Sequence, residues 1–400
     1  MKRLSPSRRQ LLSALGSTAA TLPLLSLPGF VRAAGQTPPQ GNILVLIELA
    51  GGNDGLNTVV PISDPRYRDL RPEIGLAARD LLSLDTDTGL HPSLRSIADL
   101  WDRGELQIIE GVGYPNPNRS HFRSIEIWNA GQGAEAKTQQ GWVSSAFAAG
   151  MGAADTSDAA GLVLGGEMGP LNGDGRFSAM RDSETFLETL SYLQARPHAV
   201  RPDRAISPLD HVLATYDSAQ VTGDAIKAKL EATREKRWDF PYSEIGEQLR
   251  TAARLLDAGV QVPVLKVVQD GYDTHEAQPE RHSYLLEELA GAIDAFATVL
   301  HDMGLWDQVT IVTYSEFGRT ARENASGGTD HGTAAPVFVA GGAVAGGLAG
   351  ERPSLDRLED REMIFTTDYR RIYGAILNDL WGINHAEFNR IGPRPALLRR

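Results

Sequence analysis

The hydrophobic positions of the chain fall into short runs that are typical of buried β-strands. Three stretches, Asn42–Leu49, Leu106–Gly111 and Val262–Val268, are apolar almost throughout. Val309–Thr313 alternates apolar and polar residues, and Pro336–Ala340 forms another apolar run. Strands that are covered on both faces read as nearly continuous apolar runs. The pattern therefore predicts one central sheet with further layers packed against it.

Helical patterns lie between these runs. The clearest is Glu280–Met303, in which apolar residues recur three or four positions apart. The other predicted helices are Ser93–Arg103, Gln139–Gly150, Ser243–Ala258, Thr367–Trp381 and a helix that begins near Ser120. Strands that alternate with helices indicate parallel pairing. We therefore expect an α/β fold with a mainly parallel central sheet and helices on both of its faces.

The pattern weakens between about residues 151 and 241. Turns rich in glycine and alanine give way there to charged helical segments around Arg181–Ala195 and Ile206–Arg237. We interpret residues 151–241 as an inserted cap or helical lobe outside the sheet. The chain shows no internal repeat and no clear linker, so residues 35–400 are predicted to form a single α/β domain.

The N-terminus has the features of an export signal. Ser7–Leu12 reads SRRQLL, a twin-arginine pattern, and a weakly apolar stretch follows as far as Phe30. Small residues in Val31–Ala34 offer a cleavage site. The stretch is too short and too polar for a membrane span. We predict a signal peptide at residues 1–34 and a periplasmic or secreted protein; the alternative is a buried N-terminal helix.

The charge balance limits the choice of partners. The whole chain has 39 basic and 51 acidic residues and a formal net charge of −12. Removing residues 1–34 leaves 34 basic residues against 51 acidic ones, a net charge of −17. Such an acidic surface argues against nucleic acids and anionic membranes as partners. The chain has no cysteine, so no disulfide supports it.

Carboxylates and imidazoles follow several of the predicted strands. The candidates at the strand ends are Asp54, Asp273, His275, Glu316, Asp330 and His331. In open α/β sheets, ligands bind at the carboxyl ends of the strands. Carboxylate and imidazole groups together are typical ligands of divalent metal ions. We therefore predict a metal site at this edge of the sheet, although Asp54 could instead cap a turn or a helix.

A serine stands at the start of the helix that follows the second strand. Ser120 precedes His121, and Arg123 lies within the first turn. His121 is a further catalytic candidate, although a histidine taken alone is more often structural. The simplest interpretation is a serine that caps a helix. The functional alternative is a nucleophile at a positive helix end, where backbone N–H groups would bind an oxyanion. Arg123 or Arg319 would then hold the anionic group of a substrate.

Six motifs together resemble one family. They read, in chain order, LAGGNDGLNTVVP, GYPNPNRSHFRSIEIW, GYDTH, YSEFGRT and GTDHGTAAPVFVAGG, after the twin-arginine start. This set resembles the family called domain of unknown function 1501 (DUF1501) over essentially the whole chain after the signal. That family is in turn distantly similar to the alkaline phosphatase and sulfatase superfamily. The resemblance implies an alkaline phosphatase-like fold.

The resemblance also implies roles for individual residues. Asp54 would bind a metal ion, Ser120 would be the nucleophile, and Asp273, His275 and His331 would bind one ion. The chain departs from the superfamily pattern at Glu316-Phe317, where an Asp-His pair is expected. A second metal site would therefore lack an imidazole and would be weak, rich in oxygen ligands, or absent.

These observations lead to three functional hypotheses. The first is an exported hydrolase of phosphate or sulfate esters that uses a divalent metal ion: zinc, or else calcium, manganese or iron. Its substrate would be a small-molecule or polymer ester, and its oligomeric state is left open. The second is an inactive relative that serves as a periplasmic binding or assembly protein. The third, a cofactor-dependent oxidoreductase, is weaker because the glycine-rich turn after the first strand lacks the G-x-G-x-x-G pattern.

Overall fold

A nine-stranded sheet lies at the centre of the residues described by the computed structural model, which are 41–149, 157–173, 175–180 and 222–399. Its strands in chain order are β1 (Ile43–Leu49), β2 (Leu106–Gly113), β3 (Gly161–Val163), β4 (Phe177–Ala179), β5 (Val264–Gln269), β6 (Val309–Tyr314), β7 (Ala335–Ala340), β8 (Gly347–Gly350) and β9 (Thr367–Asp368). Across the sheet the order is β8-β2-β7-β6-β1-β5-β3-β4, and β9 pairs with β2. The predicted signal peptide lies outside the described residues.

The first strand occupies the middle of the sheet. It pairs in parallel with β5, with Leu44 opposite Val264, and in parallel with β6, with Ile43 opposite Val309. Ile43 and Leu44 are fully buried. Neighbouring strands flank β1 on both sides, and packed layers cover both faces of the sheet. Hardly any position of β1 therefore needs a polar side chain. The predicted mainly parallel sheet is therefore confirmed.

One strand runs against the others and determines where the site forms. β7 pairs antiparallel with both β6 and β2. The beginning of β7 therefore lies at the same edge of the sheet as the end of β6. Residues that follow β6, such as Glu316, and residues that precede β7, such as His331, come to this one edge.

Helices pack on both faces of the sheet. In chain order they are α1 (Gly55–Thr58), α2 (Pro65–Leu70), α3 (Ala98–Asp102), α4 (His121–Ala130), α5 (Trp142–Ala148), α6 (Glu244–Asp257), α7 (Gln278–Met303), α8 (Tyr369–Trp381) and α9 (Ala386–Asn389). One core contains Leu249 of α6 and Phe296 of α7, and the other contains Trp128 of α4 and Tyr373 of α8. The predicted helices on both faces are thereby confirmed. Residues 222–232 are also helical.

Short elements complete the architecture. A small sheet comprises Val59–Pro61, Leu82–Ser83 and Thr88–Leu90, and a two-stranded one comprises Leu358–Glu359 and Glu362–Met363. The 3-10 helices are Ala78–Asp80, Pro92–Ile97, Gly169–Leu171 and Trp306–Gln308. The described residues belong to one compact unit. A search of their helices finds no segment with the length and apolar character needed to cross a membrane.

The expected cap at residues 151–241 differs in part from the structure. Gly161–Val163 pairs in parallel with β5, and Phe177–Ala179 pairs in parallel with Gly161–Val163. These two segments therefore belong to the main sheet rather than to a cap. Each is only three residues long and has glycines nearby, so neither produces a recognisable apolar run. Residues 181–221, which include the predicted segment Arg181–Ala195, lie outside the described residues.

Candidate metal centre

Three imidazoles converge on one carboxylate oxygen at the carboxyl edge of the sheet. Oδ1 of Asp273 lies 2.9 Å from Nε2 of His275, 3.3 Å from Nε2 of His331 and 3.6 Å from Nε2 of His121. Asp273 and His275 follow β5, His331 precedes β7, and His121 opens α4. Residues that are far apart in the sequence thus place their ligand atoms together.

The loop after β1 packs tightly against the loop that carries Asp273. Gly51 has a φ of +117°, and a Cβ atom there would lie 2.4 Å from the backbone nitrogen of Asp273. No L-residue with a side chain could adopt this backbone conformation and approach without displacing the loop. Gly51 therefore allows the close approach of one loop to another.

Arg319 anchors Asp273 from below the site. Its guanidinium is fully buried and donates hydrogen bonds of 2.7 Å to Oδ1 of Asp273, 2.7 Å to the carbonyl of Gly52 and 2.9 Å to the carbonyl of Tyr272. It also donates to the carbonyls of Gly51 and Thr329. The predicted role of Arg319 as a clamp for the substrate is therefore not what the structure shows, because its donors are already occupied.

Asp273 is in the form that a cation would need. Partial burial acts to raise the pKa of its carboxyl group, but the hydrogen bond and charge of Arg319, with nearby imidazoles, lower the pKa overall. The group is therefore ionised at neutral pH. Its side chain is 47% exposed, so the carboxylate remains accessible from the solvent side.

Each imidazole is oriented by a contact on its other side. Nδ1 of His331 lies 2.8 Å from the carbonyl oxygen of Arg119 and must donate to it, which leaves Nε2 unprotonated in the neutral ring. Nδ1 of His121 lies 2.7 Å from Oε1 of Glu316. Nδ1 of His275 lies 3.6 Å from Oδ1 of Asp330. In all three rings, Nε2 is the nitrogen that faces the centre.

The environments of two of these rings affect their protonation in opposite directions. The hydrogen bond with Glu316 raises the pKa of His121. Burial lowers the pKa of His331, which favours its neutral form. A neutral imidazole can bind a metal ion, whereas a protonated one cannot. A proton therefore competes with a metal ion more strongly at His121 than at His331.

The donor set fits a divalent cation. Ligand atoms about 2.0–2.1 Å from a tetrahedral zinc ion lie about 3.3 Å apart. The ligand atoms of His121, Asp273 and His331 all lie within 4.8 Å of one another. Nε2 of His275 is 3.0 Å from Nε2 of His331, so this ring is positioned to complete the set. Imidazole nitrogens with one carboxylate are donors that suit zinc.

Asp54 does not join this group. It is buried, and both of its carboxylate oxygens contact the guanidinium of Arg71, one of them at 2.8 Å. Gln278 donates a further hydrogen bond to it. Burial opposes ionisation, but the charge and hydrogen bonds of Arg71, together with the hydrogen bond of Gln278, lower the pKa of Asp54 overall. The structure thus makes Asp54 the counter-ion of a buried arginine, in contrast to the metal ligand that the sequence suggested.

The two remaining predicted catalytic residues differ in their availability. Ser120 is exposed, and its hydroxyl makes no capping hydrogen bond, although it occupies the N-cap position of α4. Arg123 donates 3.0 Å to Glu126 and 2.8 Å to the carbonyl of Ala134. Arg123 therefore fixes the segment after α4, and it does not provide the predicted anion clamp.

Two residues to which the sequence assigned no role shape the site. Phe317 stands where the superfamily pattern has an imidazole, and its ring centroid lies 4.8 Å from that of His121 and 4.7 Å from that of His331. Its buried ring forms an apolar wall behind the two imidazoles. Arg71 is the other residue, and no local pattern connects it to Asp54. The position of Phe317 disfavours a second metal site beside the first.

A cleft of about 500 Å³ opens beside this centre. His121, Asp273 and Glu316 line it together with three further acidic residues, Glu48, Glu167 and Asp270. Phe122 also lines it, with 85% of its surface exposed. The centre is therefore accessible from solvent, and the cleft is lined by several acidic side chains but, among the residues that the structure describes, by no lysine or arginine.

The chain belongs to the family described as Protein of unknown function (DUF1501), which matches residues 42–386. This confirms the family that the motifs indicated. No curated protein matches the chain in sequence.

Several solved structures are similar to the chain at low identity. Ps i-CgsB, solved in complex with k-i-k-neocarrahexaose, is 10% identical with a TM-score of 0.42; 89% of this chain and 75% of that chain are covered. The PsFucS1 sulfatase from Pseudoalteromonas sp. is 11% identical with a TM-score of 0.37, covering 84% and 67%. Phosphonoacetate hydrolase from Sinorhizobium meliloti 1021 is 13% identical with a TM-score of 0.30, covering 72% and 59%.

Proposed function

We propose that the protein is an exported, metal-dependent hydrolase of phosphate or sulfate esters. The observation that supports this most strongly is the convergence of three imidazole Nε2 atoms on Oδ1 of Asp273, at 2.9, 3.3 and 3.6 Å. Such a group of donors is electrostatically balanced when it surrounds a cation. Its position at the carboxyl edge of the sheet is where ligands bind in open α/β folds.

The proposed ligands are His121, Asp273 and His331, with His275 as the fourth. A zinc ion bound there would polarise an ester oxygen and lower the pKa of a coordinated water molecule. The chain's own part is to hold the donors in place: Arg319 fixes the carboxylate, and the carbonyl of Arg119 fixes the ring of His331. Phe317 excludes water from the back of the imidazoles.

Ser120 is the proposed nucleophile. Its hydroxyl is exposed, makes no capping hydrogen bond and lies one residue before the ligand His121. The N-terminal end of α4 favours negative charge, so it suits a phosphoryl or sulfuryl group. In the proposed reaction, the Ser120 hydroxyl loses its proton as Oγ forms a bond to phosphorus or sulfur, the bond to the alcohol oxygen breaks, and the alcohol leaves with that proton. Water then cleaves the ester of Ser120, which releases phosphate or sulfate and restores the serine hydroxyl.

An ester screen tests this function. Purified mature protein supplied with zinc, manganese, calcium or iron should hydrolyse aryl phosphates or aryl sulfates, and the D273N variant should not. The E110Q variant is a suitable control, since Glu110 is a largely buried carboxylate that pairs with Arg352. Absence of turnover with every metal and both ester classes would contradict the proposal.

A second candidate is a binding or assembly protein without catalysis. This candidate is favoured because both arginines that were predicted to bind the substrate anion already donate to protein groups. Arg319 donates to backbone carbonyls, and Arg123 donates to Glu126 and to the chain after α4. The cleft walls are also acidic, which disfavours anionic esters unless a metal ion reverses the local potential. A folded protein that retains metal but hydrolyses no ester would support this candidate.

A further inference from the structure

We infer that Glu316 is a positioning residue that holds the ring of His121, so that Nε2 faces Asp273, and that it is not itself a metal ligand. The inference rests on the proposed metal centre. The sequence suggested a different role for Glu316. A carboxylate that directly follows a central strand would be expected to bind the metal ion itself.

The hydrogen bonds of Glu316 are already directed at protein groups. Oε1 accepts 2.9 Å from the backbone N–H of Gly51 and lies 2.7 Å from Nδ1 of His121. Oε2 lies 3.3 Å from the hydroxyl of Ser315, which donates its proton to the carbonyl of Leu49 at 2.7 Å. Only 4% of the side chain is exposed. The carboxylate is therefore fixed in the protein, on the side of the His121 ring that faces away from Asp273.

The ring of His121 is constrained in a second direction by Phe317. The two ring centroids are 4.8 Å apart, with an angle of 45° between the planes. A hydrogen bond at one ring edge and an aromatic contact at one ring face together restrict both torsions of the side chain. Nε2 of His121 makes no hydrogen bond of its own and is shielded from solvent. This nitrogen is oriented but unpartnered, as a ligand atom awaiting an ion would be.

The backbone around Glu316 is tied to the start of α4. The hydroxyl of Ser124 donates to the carbonyl oxygen of Glu316 and also lies 2.7 Å from the hydroxyl of Tyr114. The helix that presents His121 is thereby joined to the end of β6. Residues that orient metal-binding imidazoles through the second nitrogen typically change metal affinity by about 10–100-fold when they are removed. Glu316 has the geometry of such a residue.

Cobalt binding to the mature protein tests this inference without depending on turnover. Cobalt and zinc affinities, and the cobalt d–d absorption, would be measured for the wild type and for E316Q, E316A, H121A and the H121A/E316A double variant. We expect E316A to bind about 10–100-fold more weakly. E316Q should retain most of the affinity and the wild-type absorption shape, because an amide oxygen can still accept from Nδ1 of His121 and from Gly51. E110Q serves as the matched control and should bind normally.

The double variant gives the decisive comparison. If Glu316 acts only through His121, H121A/E316A should bind no more weakly than H121A alone. Additive losses in the double variant, or E316Q as weak as E316A with an altered cobalt spectrum, would overturn the inference by making Glu316 a direct ligand. E316Q and H121A remain informative if E316A fails to fold. If the wild type binds cobalt but hydrolyses no ester, the proposed hydrolase is contradicted and the positioning role of Glu316 stands. If the wild type binds no cobalt, both the proposed hydrolase and the positioning role are contradicted.

Discussion

Arg319 Nη2 donates a 2.7 Å hydrogen bond to the same oxygen of Asp273 toward which the three imidazoles are directed. The arginine is fully buried, whereas the aspartate is half exposed. Arg319 is therefore held by hydrogen bonds to the backbone of three loops, and the carboxylate of Asp273 faces the site. The pair connects the stability of the loops with the geometry of the centre.

Replacing Arg319 with methionine should reduce both stability and metal affinity. The change leaves several backbone carbonyls and Asp273 without their donor, and an unsatisfied buried acceptor typically costs about 1–3 kcal/mol. Urea unfolding measures the loss. The matched control is R322M, an exposed arginine, for which the free energy of unfolding should change by less than about 0.5 kcal/mol. Equal stability of R319M and R322M would contradict this account of the loops.

Replacing Asp54 with asparagine should destabilise the protein without removing its metal. Arg71 would lose its buried counter-ion, so the free energy of unfolding should fall by about 3–5 kcal/mol. Metal content should match that of the wild type in the folded fraction. The control is D80N, because the side chain of Asp80 is 57% exposed. A stable, folded D54N protein that lacks metal would restore the ligand role that the sequence suggested.

The central sheet could be predicted because strands that are buried on both faces appear in the sequence as nearly continuous apolar runs. β1 and β5 are apolar runs, and the end of β5 brings Asp273 and His275 to the site. β3 was missed because three residues next to glycines produce no periodicity. Its place in the sheet depends on pairing with β5 and not on a local preference.

The individual site roles were less predictable because they depend on partners that are distant in sequence. Glu316 and His121 are 195 positions apart, and Arg71 is 17 positions from Asp54 with no pattern that links them. The sequence indicates which side chains lie at the carboxyl edge of the sheet, but it does not indicate which of them contact each other. His121 therefore appeared as a neighbour of Ser120, whereas the structure places it within the centre.

Stability should fall as the pH is lowered below about 6.5. Burial lowers the pKa of His282 to about 3 and that of His91 to about 4, from an ordinary value of 6.5. In this window the unfolded chain binds protons that the folded protein excludes, so unfolding is favoured by up to about 1.4 kcal/mol per pH unit for each histidine. Urea midpoints between pH 7 and 5 measure the effect. H91Q should show a shallower dependence, and a flat wild-type profile would contradict the buried neutral state.

Replacing Ser120 with alanine should abolish turnover while preserving the fold. The serine makes no side-chain capping bond, so the free energy of unfolding should change by less than about 0.5 kcal/mol. Loss of a nucleophile typically lowers kcat by about 10³-fold or more. Steady-state kinetics with the best aryl ester measures this, with S326A as an exposed control. Activity that survives in S120A would show that a water molecule, rather than this serine, attacks the ester.

The metal content of the mature protein, purified without chelator, tests the central claim most directly. Elemental analysis of the wild type should find about one equivalent of a divalent metal, because the centre has a single set of donors. The D273N variant, verified as folded by circular dichroism, should contain far less. A folded wild-type protein with no metal, or a D273N protein with as much metal as the wild type, would contradict a metal centre at Asp273.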